Sequence, residues 1–344
     1  MNNYQTFLKS NLQNYASAAA KIWAAANIAK NQLFKSFVYL FMLSAHAAEY
    51  IPLRECTPIE EIELKPVERI GSIILAGGQG TRLGYTGPKG LFPIAGKTLF
   101  QWLLEKAPRK DIPIAIMTSP LNHEETVAYF KDHQYFGLDI HFFQQEMRPF
   151  LNAQKEPMEF AGPNGNGNVF YSFVRAGLAD LFASKGVDLL TISYIDNPLS
   201  DPFDQALISH ARKTNADIAI KCLQKQEADP AMGMLVKKED RIEIVEYTEL
   251  DPTLDYHFAY SGQMAIDLSF FCRMAEAELP IHWVKKKIDT EANAPIGWKG
   301  ELFIFDVLPY TTKTQAIYAP RATCFAPVKS LENVPVVEKL LRPG

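Results

Sequence analysis

A glycine-rich segment that follows an apolar stretch contains the residues best suited to chemistry. The segment "ILAGGQGTRLGYTGPKG" begins at residue 74 and ends at residue 90. Gly77, Gly78 and Gly80 allow the backbone to bend and bring its N–H groups close to an anion. Arg82 adds a planar fork of donors that suits phosphate oxygens, and Lys89 adds a point charge. These residue types predict a loop that binds phosphate.

Two common phosphate-binding motifs do not fit this segment. The dinucleotide fingerprint G-x-G-x-x-G requires a third glycine where this chain has Leu83, and Gly84 comes one residue late. The Walker pattern requires a glycine where Leu91 stands, although "GKT" follows at residues 96–98. Both motifs depend on strict loop spacing. An NAD(P)-dependent oxidoreductase therefore remains only an alternative, and the loop needs another explanation.

Composition and charge exclude several classes of protein. Among 344 residues, 47% are hydrophobic and 22% are charged, which is ordinary for a globular enzyme. The net charge of −4 gives no basic footprint for nucleic acid, so we expect no nucleic-acid partner. The four cysteines are isolated from one another, which argues against a zinc site and a disulfide framework. This cysteine usage favours the reducing cytoplasm.

Apolar segments alternate with amphipathic ones from about residue 69 to residue 224. This alternation predicts βα units around a mainly parallel sheet, and thus an α/β fold. One long helix is expected over "NVFYSFVRAGLADLFASKG". Ligands of such sheets bind at the carboxyl ends of the strands, where Gly77, Ser119, Gln145 and Asp196 fall. From about residue 231 the apolar segments shorten, which predicts an antiparallel or mixed portion that covers the site.

The same pattern divides the chain into three parts. Residues 1–65 are expected to form an N-terminal helical segment and linker, residues 66–312 the catalytic domain, and residues 313–344 a short C-terminal extension. Leu33 to Tyr50 is an apolar run with some features of a signal peptide. It begins far from the start and is too short to span a bilayer, so we expect a buried helix without membrane contact. A targeting segment is the alternative.

Several motifs in order give a specific family resemblance over about residues 70–332. The segments are "LAGGQGTRLGYTGPKG", "MTSPLNHEETVAYFKDH", "FFQQEMRP", "PNGNGNVF", "YIDNPL", "VEYTEL", "PIGWKGELFIFD" and "FAPVKS". Together they resemble the eukaryotic-type UDP-N-acetylglucosamine pyrophosphorylases. The resemblance implies a Rossmann-like nucleotidyltransferase fold, similar to GT-A, in which helices flank a mixed sheet. UDP-glucose pyrophosphorylases, a related branch, are the nearest alternative.

The implied reaction joins UTP and a sugar 1-phosphate to give a UDP-sugar and pyrophosphate. It needs no covalent intermediate, so positioning and charge neutralisation should carry the catalysis. The resemblance, together with the residue chemistry, assigns catalytic roles to Arg82, Lys89 and Lys299, nucleotide contacts to Leu75, Ala76, Gly77, Gly78, Gly80, Gln145, Gly165, Asp196 and Lys329, and sugar contacts to Asn166, Glu246, Tyr247 and Gln263. Asp196 is also the expected Mg²⁺ ligand, with a helix N-cap as its alternative role.

The chain departs from the family pattern at "YSGQ", residues 260–263, where the family has Asn-Ala-Gly-Asn. Gln263 replaces a sugar-binding asparagine, and Tyr260 brings a ring to the same region. The preferred sugar is therefore open, with N-acetylglucosamine 1-phosphate expected and glucose 1-phosphate as the alternative. The short sequence after Lys329 leads us to expect that the family's small C-terminal domain is largely missing. A catalytically inactive nucleotide-binding protein remains a further alternative.

Overall fold

The computed structural model describes residues 50–226, 232–288 and 295–342. The expected N-terminal helical segment, including the run that ends at Tyr50, lies almost wholly outside these residues. Within the described ranges, no helix combines the length and the apolar character needed to cross a membrane.

The strands and helices follow in chain order. The strands of the first half are β1 (Ile51–Pro52), β2 (Thr57–Pro58), β3 (Ile70–Leu75), β4 (Pro93–Ile94), β5 (Lys97–Thr98), β6 (Ile114–Thr118), β7 (Ile140–Gln144), β8 (Met147–Leu151) and β9 (Pro157–Pro163). The strands of the second half are β10 (Leu189–Tyr194), β11 (Ile218–Gln224), β12 (Met234–Lys238), β13 (Arg241–Val245), β14 (Phe258–Asp267), β15 (His282–Lys287), β16 (Ile296–Glu301) and β17 (Thr314–Tyr318). The helices are α1 (Leu99–Leu104), α2 (His123–Asp132), α3 (Val169–Arg175), α4 (Leu178–Ser184), α5 (Gln205–Thr214), α6 (Leu268–Met274), α7 (Arg321–Cys324) and α8 (Val334–Leu341).

An 11-stranded mixed sheet forms the centre of the molecule. Its main path runs β2–β17–β11–β14–β10–β3–β6–β7, and β12 joins β1 and β13 to that path beside β14. Strands β10, β3, β6 and β7 are parallel neighbours. Strand β14 is antiparallel to both β10 and β11, between which it lies. The α/β fold with a mixed sheet is thereby confirmed.

The central strands are buried on both faces because their sequences are almost continuously apolar. Every residue of β3, "IGSIIL", and of β6, "IAIMT", is buried. Such strands require a packed layer on each side of the sheet. One layer contains Phe173 and Phe182, and the other contains Phe100 and Phe130. The carboxyl ends of these rigid strands can then position the residues of a site.

Two expectations about element boundaries need correction. The single helix expected over "NVFYSFVRAGLADLFASKG" is two helices, α3 and α4, because Gly177 between them adopts a left-handed conformation with φ 73°. The expected division after residue 312 does not coincide with a structural boundary, since β17 pairs in parallel with β11 inside the main sheet. The residues assigned to a linker also contribute strands β1 and β2 to this sheet.

A second, four-stranded sheet has the order β15–β16–β8–β9. Strand β15 pairs with β16 along its whole length, and Trp298 of β16 pairs with Leu151 of β8. The antiparallel pairing expected after residue 231 occurs in both sheets, between β12 and β13 in the main sheet and between β15 and β16 in this one. The four-stranded sheet also carries Lys299, one of the expected catalytic residues, on β16.

A buried ion pair lies beneath the loop that follows β10. The ammonium group of Lys221, on β11, contacts the carboxylate of Asp204, and both side chains are almost fully buried. Asp204 also caps α5, because its carboxylate accepts a hydrogen bond from the Leu207 amide at 2.8 Å. The pair therefore connects the central sheet to the start of a helix that packs on it.

Lys221→Met should destabilise the fold strongly, because it leaves the Asp204 carboxylate buried without its countercharge. Breaking a buried pair from one side costs roughly 3–5 kcal/mol in the free energy of unfolding. Urea unfolding followed by circular dichroism measures this change. Lys213→Met removes an exposed lysine from α5 and serves as the control. Equal stability of the two variants would contradict the importance of the buried pair.

Candidate active site

A cavity of about 550 Å³ opens at the carboxyl ends of β3, β6, β7 and β10. This volume lies in the range of small-molecule sites, and the position is the one expected for an α/β sheet. Twelve of the sequence-predicted site residues line it: Leu75, Gly77, Gly78, Gly80, Arg82, Lys89, Gln145, Gly165, Asn166, Asp196, Lys299 and Lys329. Residues far apart in the sequence are thus brought to one cavity.

The glycine-rich loop folds back on itself beside this cavity. The Gly80 amide donates to the Gly87 carbonyl at 3.0 Å, and the Lys89 amide donates to the Gly78 carbonyl at 3.1 Å. Gly84 reverses the chain in a left-handed conformation with φ 60°. The hairpin returns Lys89 to the side of the first glycines, although ten residues lie between it and Gly78.

The carbonyl groups of the loop are held by side chains that follow β6. The Asn122 amide donates to the carbonyls of Ala76 and Gly78, at 2.8 and 3.1 Å. The Ser119 hydroxyl donates to the Gly77 carbonyl at 2.9 Å. Within the described residues, the Gly77 and Gly78 amides donate to no backbone carbonyl. These amides are therefore suited to an anion in the cavity.

Gly77 lies directly beside the side chain of Gln145. A Cβ atom at position 77 would lie 1.8 Å from the Gln145 side-chain nitrogen. Gln145 is buried at the end of β7, and its backbone amide donates to the Thr118 carbonyl at 2.9 Å. The first glycine thus admits a side-chain amide, which can both donate and accept, to the wall of the cavity.

The Lys89 ammonium lies 3.4 Å from the Asp196 carboxylate, and the Lys89 side chain is only 13% exposed. Burial lowers the pKa of Lys89, the neighbouring Asp196 opposes that shift, and the cations Arg82 and Lys329 add to it. Among the described lining residues, five cations face only two carboxylates. The cavity therefore has an excess of positive charge in a partly desolvated setting, where electrostatic attraction to a polyanion is strong.

Lys329 reaches the cavity because its segment is bonded to the end of β10. The Val328 amide donates to the Asp196 carbonyl at 2.7 Å. Asn197 donates to the Cys324 carbonyl at 2.8 Å and accepts from the Ala326 amide at 2.9 Å. The residue after Asp196 therefore positions the chain that carries this lysine.

Gly165 and Asn166 are held against the second sheet. The Leu302 amide donates to the Asn164 carbonyl at 2.8 Å, and the Gly167 amide donates to the Leu302 carbonyl at 2.9 Å. A Cβ atom on Gly165 would lie 2.4 Å from the Leu302 carbonyl oxygen. This contact places the strand end that follows Lys299 next to the "NGNG" turn, so both reach the cavity.

Asp196 does not cap a helix, since Asp204 performs that role for α5. Its side chain lines the cavity and is 25% exposed. The described residues contain no cluster of three or more His, Cys, Asp or Glu side chains that could hold a metal alone. Mg²⁺ commonly binds through one or two carboxylates together with substrate phosphates and water. A single accessible carboxylate beside a polyanion cavity fits that mode of binding.

Four expected site residues lie outside the lining of the cavity: Ala76, Glu246, Tyr247 and Gln263. Ala76 is buried, and its carbonyl anchors the glycine loop through Asn122. Glu246 follows β13, and burial raises the pKa of its carboxyl, while His282 and Lys329 oppose this shift. Tyr247 is 47% exposed. Glu246 is therefore close to cavity residues, whereas Ala76 supports the site from behind.

The expected sugar contact of Gln263 needs correction. Gln263 is 1% exposed, and its side-chain amide donates to the Asp201 carbonyl. The pairing of β11 with β14 shifts between Lys221 and its neighbour, which leaves a bulge at Ser261 and Gly262. Gly262 faces the ring of Tyr194 on the cavity side. Because side chains alternate along a strand, Gln263 points to the opposite face of the sheet.

Ten lining residues were not among the predicted site residues, and Tyr194, Lys286 and Glu301 are three of them. Glu301 accepts a hydrogen bond from the Lys299 ammonium at 2.6 Å. Lys286 lies on β15, within "HWVKKK", and reaches the cavity because β15 pairs with β16. Tyr194 lies two residues before Asp196, at the carboxyl end of β10, where ligands of α/β sheets bind. This position is the only feature of the sequence that could have identified Tyr194 as a site residue.

Comparison with known families agrees with this geometry. The profile of the UTP–glucose-1-phosphate uridylyltransferase family matches residues 42–340. The chain belongs to this family. Its resemblance to uridylyltransferases, inferred above from ordered motifs, is thus confirmed, and the glycine loop lies in the part that matches.

Two curated relatives of this uridylyltransferase family are named for an amino sugar. "Probable UDP-N-acetylglucosamine pyrophosphorylase" of Encephalitozoon cuniculi is 33% identical over 281 residues, which cover 76% of this chain and 81% of that protein. "UDP-N-acetylglucosamine diphosphorylase 2" of Arabidopsis thaliana is 31% identical over 307 residues. The match covers 76% of this chain and only 61% of the Arabidopsis protein.

A solved structure supports the fold. The crystal structure of the uridine diphosphate N-acetylglucosamine pyrophosphorylase from Trypanosoma brucei, in complex with an inhibitor, superposes with a TM-score of 0.73. The alignment covers 94% of this chain and 79% of that chain at 24% sequence identity. At this identity the likeness shows the nucleotidyltransferase fold alone.

Lys89→Ala should lower turnover by about a hundredfold, because a charge-assisted phosphate contact contributes about 3 kcal/mol in a desolvated site. Steady-state release of pyrophosphate measures the change. Lys97→Ala removes a lysine that is paired with Glu105 at the surface, and it should behave like the wild type. Unchanged kinetics in a correctly folded Lys89→Ala variant would exclude a role for this ammonium in catalysis.

Proposed function

We propose that this protein transfers UMP from UTP to a sugar 1-phosphate, most naturally N-acetylglucosamine 1-phosphate, and releases pyrophosphate. The observation that carries the proposal is the cavity in which Lys89, Arg82 and Lys299 meet the glycine loop beside Asp196. Membership of the uridylyltransferase family supports the same chemistry. The substrates and products are then UTP, the sugar 1-phosphate, the UDP-sugar and pyrophosphate.

The arrangement suits a direct displacement at phosphorus. A phosphate oxygen of the sugar 1-phosphate attacks the α-phosphorus of UTP, the new P–O bond forms, and the bond to pyrophosphate breaks. No nucleophilic side chain is needed, so the protein contributes orientation and charge neutralisation. Arg82 and Lys89 would hold the departing pyrophosphate, and Lys299 would hold the attacking phosphate. Lys329 would contact the nucleotide phosphates from the opposite wall.

The strand order suggests how the nucleotide lies. Gln145 follows β7, the glycine loop follows β3, and Tyr194 ends β10. Three strand spacings, each about 4.8 Å, separate β7 from β10, so the lining spans about 14 Å. We assign the uracil to the Gln145 end, the phosphates to the glycine loop, and the sugar to the β10 end with Asn166 and Glu246. A UDP-sugar has the matching order of base, phosphates and sugar.

Asp196 is the residue that we assign to Mg²⁺. The metal would be held by this carboxylate and by substrate phosphate oxygens, and it would supply Lewis-acid neutralisation of the phosphate charge. The Asp196 carboxylate also orients the Lys89 ammonium at 3.4 Å. A loss of Asp196 would therefore affect both the metal and the lysine.

The choice of sugar rests on the relatives. Both curated relatives carry UDP-N-acetylglucosamine in their names, whereas the family description names glucose 1-phosphate. Glucose 1-phosphate is the alternative substrate. The four cysteines are widely spaced in the sequence, which supports a location in the reducing cytoplasm.

Asp196→Asn should raise the Mg²⁺ concentration needed for half-maximal activity by at least about tenfold, since an amide keeps the shape but loses the charge that holds the ion. Titration of Mg²⁺ in the pyrophosphate-release assay measures this value. Calorimetric binding of UTP without metal should change little. A variant with reduced turnover but an unaltered Mg²⁺ requirement would show that Asp196 acts only on Lys89.

The wild-type protein should prefer N-acetylglucosamine 1-phosphate over glucose 1-phosphate by roughly tenfold to a hundredfold in kcat/KM. A pocket that pairs the acetamido group leaves a polar group unsatisfied when glucose binds. Pyrophosphate release from UTP, with a panel of sugar 1-phosphates, measures the ratio. A preference for glucose 1-phosphate would transfer the assignment to the glucose branch. Release with no sugar phosphate of the panel would overturn the proposed function.

A further inference from the structure

Tyr194 occupies the β10 end of the cavity, where no role was expected from the sequence. Its hydroxyl accepts a hydrogen bond from the Asn166 side-chain nitrogen at 2.8 Å. The Asn166 side-chain oxygen in turn accepts from the Ile304 amide at 2.8 Å, which fixes the orientation of the Asn166 amide. Asn166 thus directs an N–H at Tyr194, and the phenol keeps its own proton to donate elsewhere.

The ring of Tyr194 is held firmly from behind. A Cβ atom on Gly262 would lie 2.4 Å from the Tyr194 ring, and Gly262 has a left-handed φ of 84°. The Tyr260 ring packs edge-on against it, with 6.5 Å between ring centroids and an interplanar angle of 75°. Tyr260 is 8% exposed and does not belong to the lining of the cavity. The departure from the family pattern at residues 260–263 therefore supports Tyr194 instead of contacting a ligand directly.

The uncharged hydroxyl of Tyr194 suits a neutral polar ligand group. A tyrosine phenol ordinarily carries its proton at neutral pH and can donate it. Sugar hydroxyl and acetamido oxygens are uncharged acceptors that match such a donor.

We infer that Tyr194 determines sugar recognition: its hydroxyl, oriented by Asn166, donates a hydrogen bond to a ring-substituent oxygen of the sugar 1-phosphate. The inference rests on the proposed function, because it requires a sugar phosphate in the cavity. Asn166, predicted to contact the sugar, also positions Tyr194. Its side-chain oxygen and one of its two side-chain N–H donors are bonded within the protein.

Tyr194→Phe tests this role, because it removes the hydroxyl and keeps the ring that packs on Gly262. The KM for the sugar 1-phosphate should rise roughly tenfold to a hundredfold, which is the usual effect of losing one buried hydrogen bond. The KM for UTP should stay within about twofold of the wild type. Tyr310→Phe removes an exposed hydroxyl that donates to the Glu278 carbonyl, and it is the matched control.

A substrate series identifies the partner oxygen and separates recognition from general damage. The substrates are N-acetylglucosamine 1-phosphate, the 3-, 4- and 6-deoxy analogues of this compound, and glucose 1-phosphate. Each is assayed with the wild type and with Tyr194→Phe. The effect of the substitution should disappear for the one analogue that lacks the acceptor. An equal effect on every analogue, or an equal rise in KM for UTP, would overturn the inference.

A second variant perturbs the Tyr194 ring by a substitution at a residue that packs against it. Gly262→Ala places a methyl group against the Tyr194 ring and should raise the KM for the sugar phosphate selectively. If Tyr194→Phe does not fold, this variant decides the question, and an unchanged sugar KM in folded Gly262→Ala would overturn the inference. A wild type inactive with every sugar phosphate would instead refute the proposed function. An active wild type with an unaffected Tyr194→Phe variant would refute only the role of Tyr194.

Discussion

The contact between the Lys89 ammonium and the Asp196 carboxylate unites three segments that are distant in the sequence. Strands β3 and β10 are parallel neighbours in a register that pairs Leu75 with Tyr194, so the glycine loop and Asp196 begin at the same level. The Asp196 carbonyl then accepts from Val328 and brings the last lysine to the cavity. One acid at a strand end thereby compensates a group of cations whose mutual repulsion would otherwise oppose their assembly.

Much of this arrangement could be predicted because its signals are local. The apolar runs of β3, β6 and β10 mark buried parallel strands, and such strands gather their carboxyl-terminal residues at one edge. Gly77, Gln145 and Asp196 were found in this way, the glycine-rich segment indicated Lys89, and motif order located the more distant lysines. Gln263 was misplaced because a bulge, set by the partner strand, decides which face of β14 it occupies. No pattern within "YSGQ" reveals that shift.

The remaining features depend on pairings between distant segments. Lys286 lies in an ordinary basic stretch, and only the pairing of β15 with β16 directs it to the cavity. Tyr194 looks like a strand residue, and only its contacts with Asn166 and Gly262, which come from two other segments, distinguish it. The second sheet adds Lys286, Lys299 and Glu301 to a cavity whose other side contains the glycine loop.

The central position of β14 also constrains the order in which the chain can fold. Strands β10 and β11 flank it on either side, but both precede it in the sequence by more than thirty residues. During synthesis the ribosome therefore releases two buried, apolar strands whose shared neighbour does not yet exist. Their unpaired edges are prone to association with other chains until residue 267 emerges and closes the sheet. Chaperone protection during that interval would benefit this protein more than one whose neighbouring strands are consecutive.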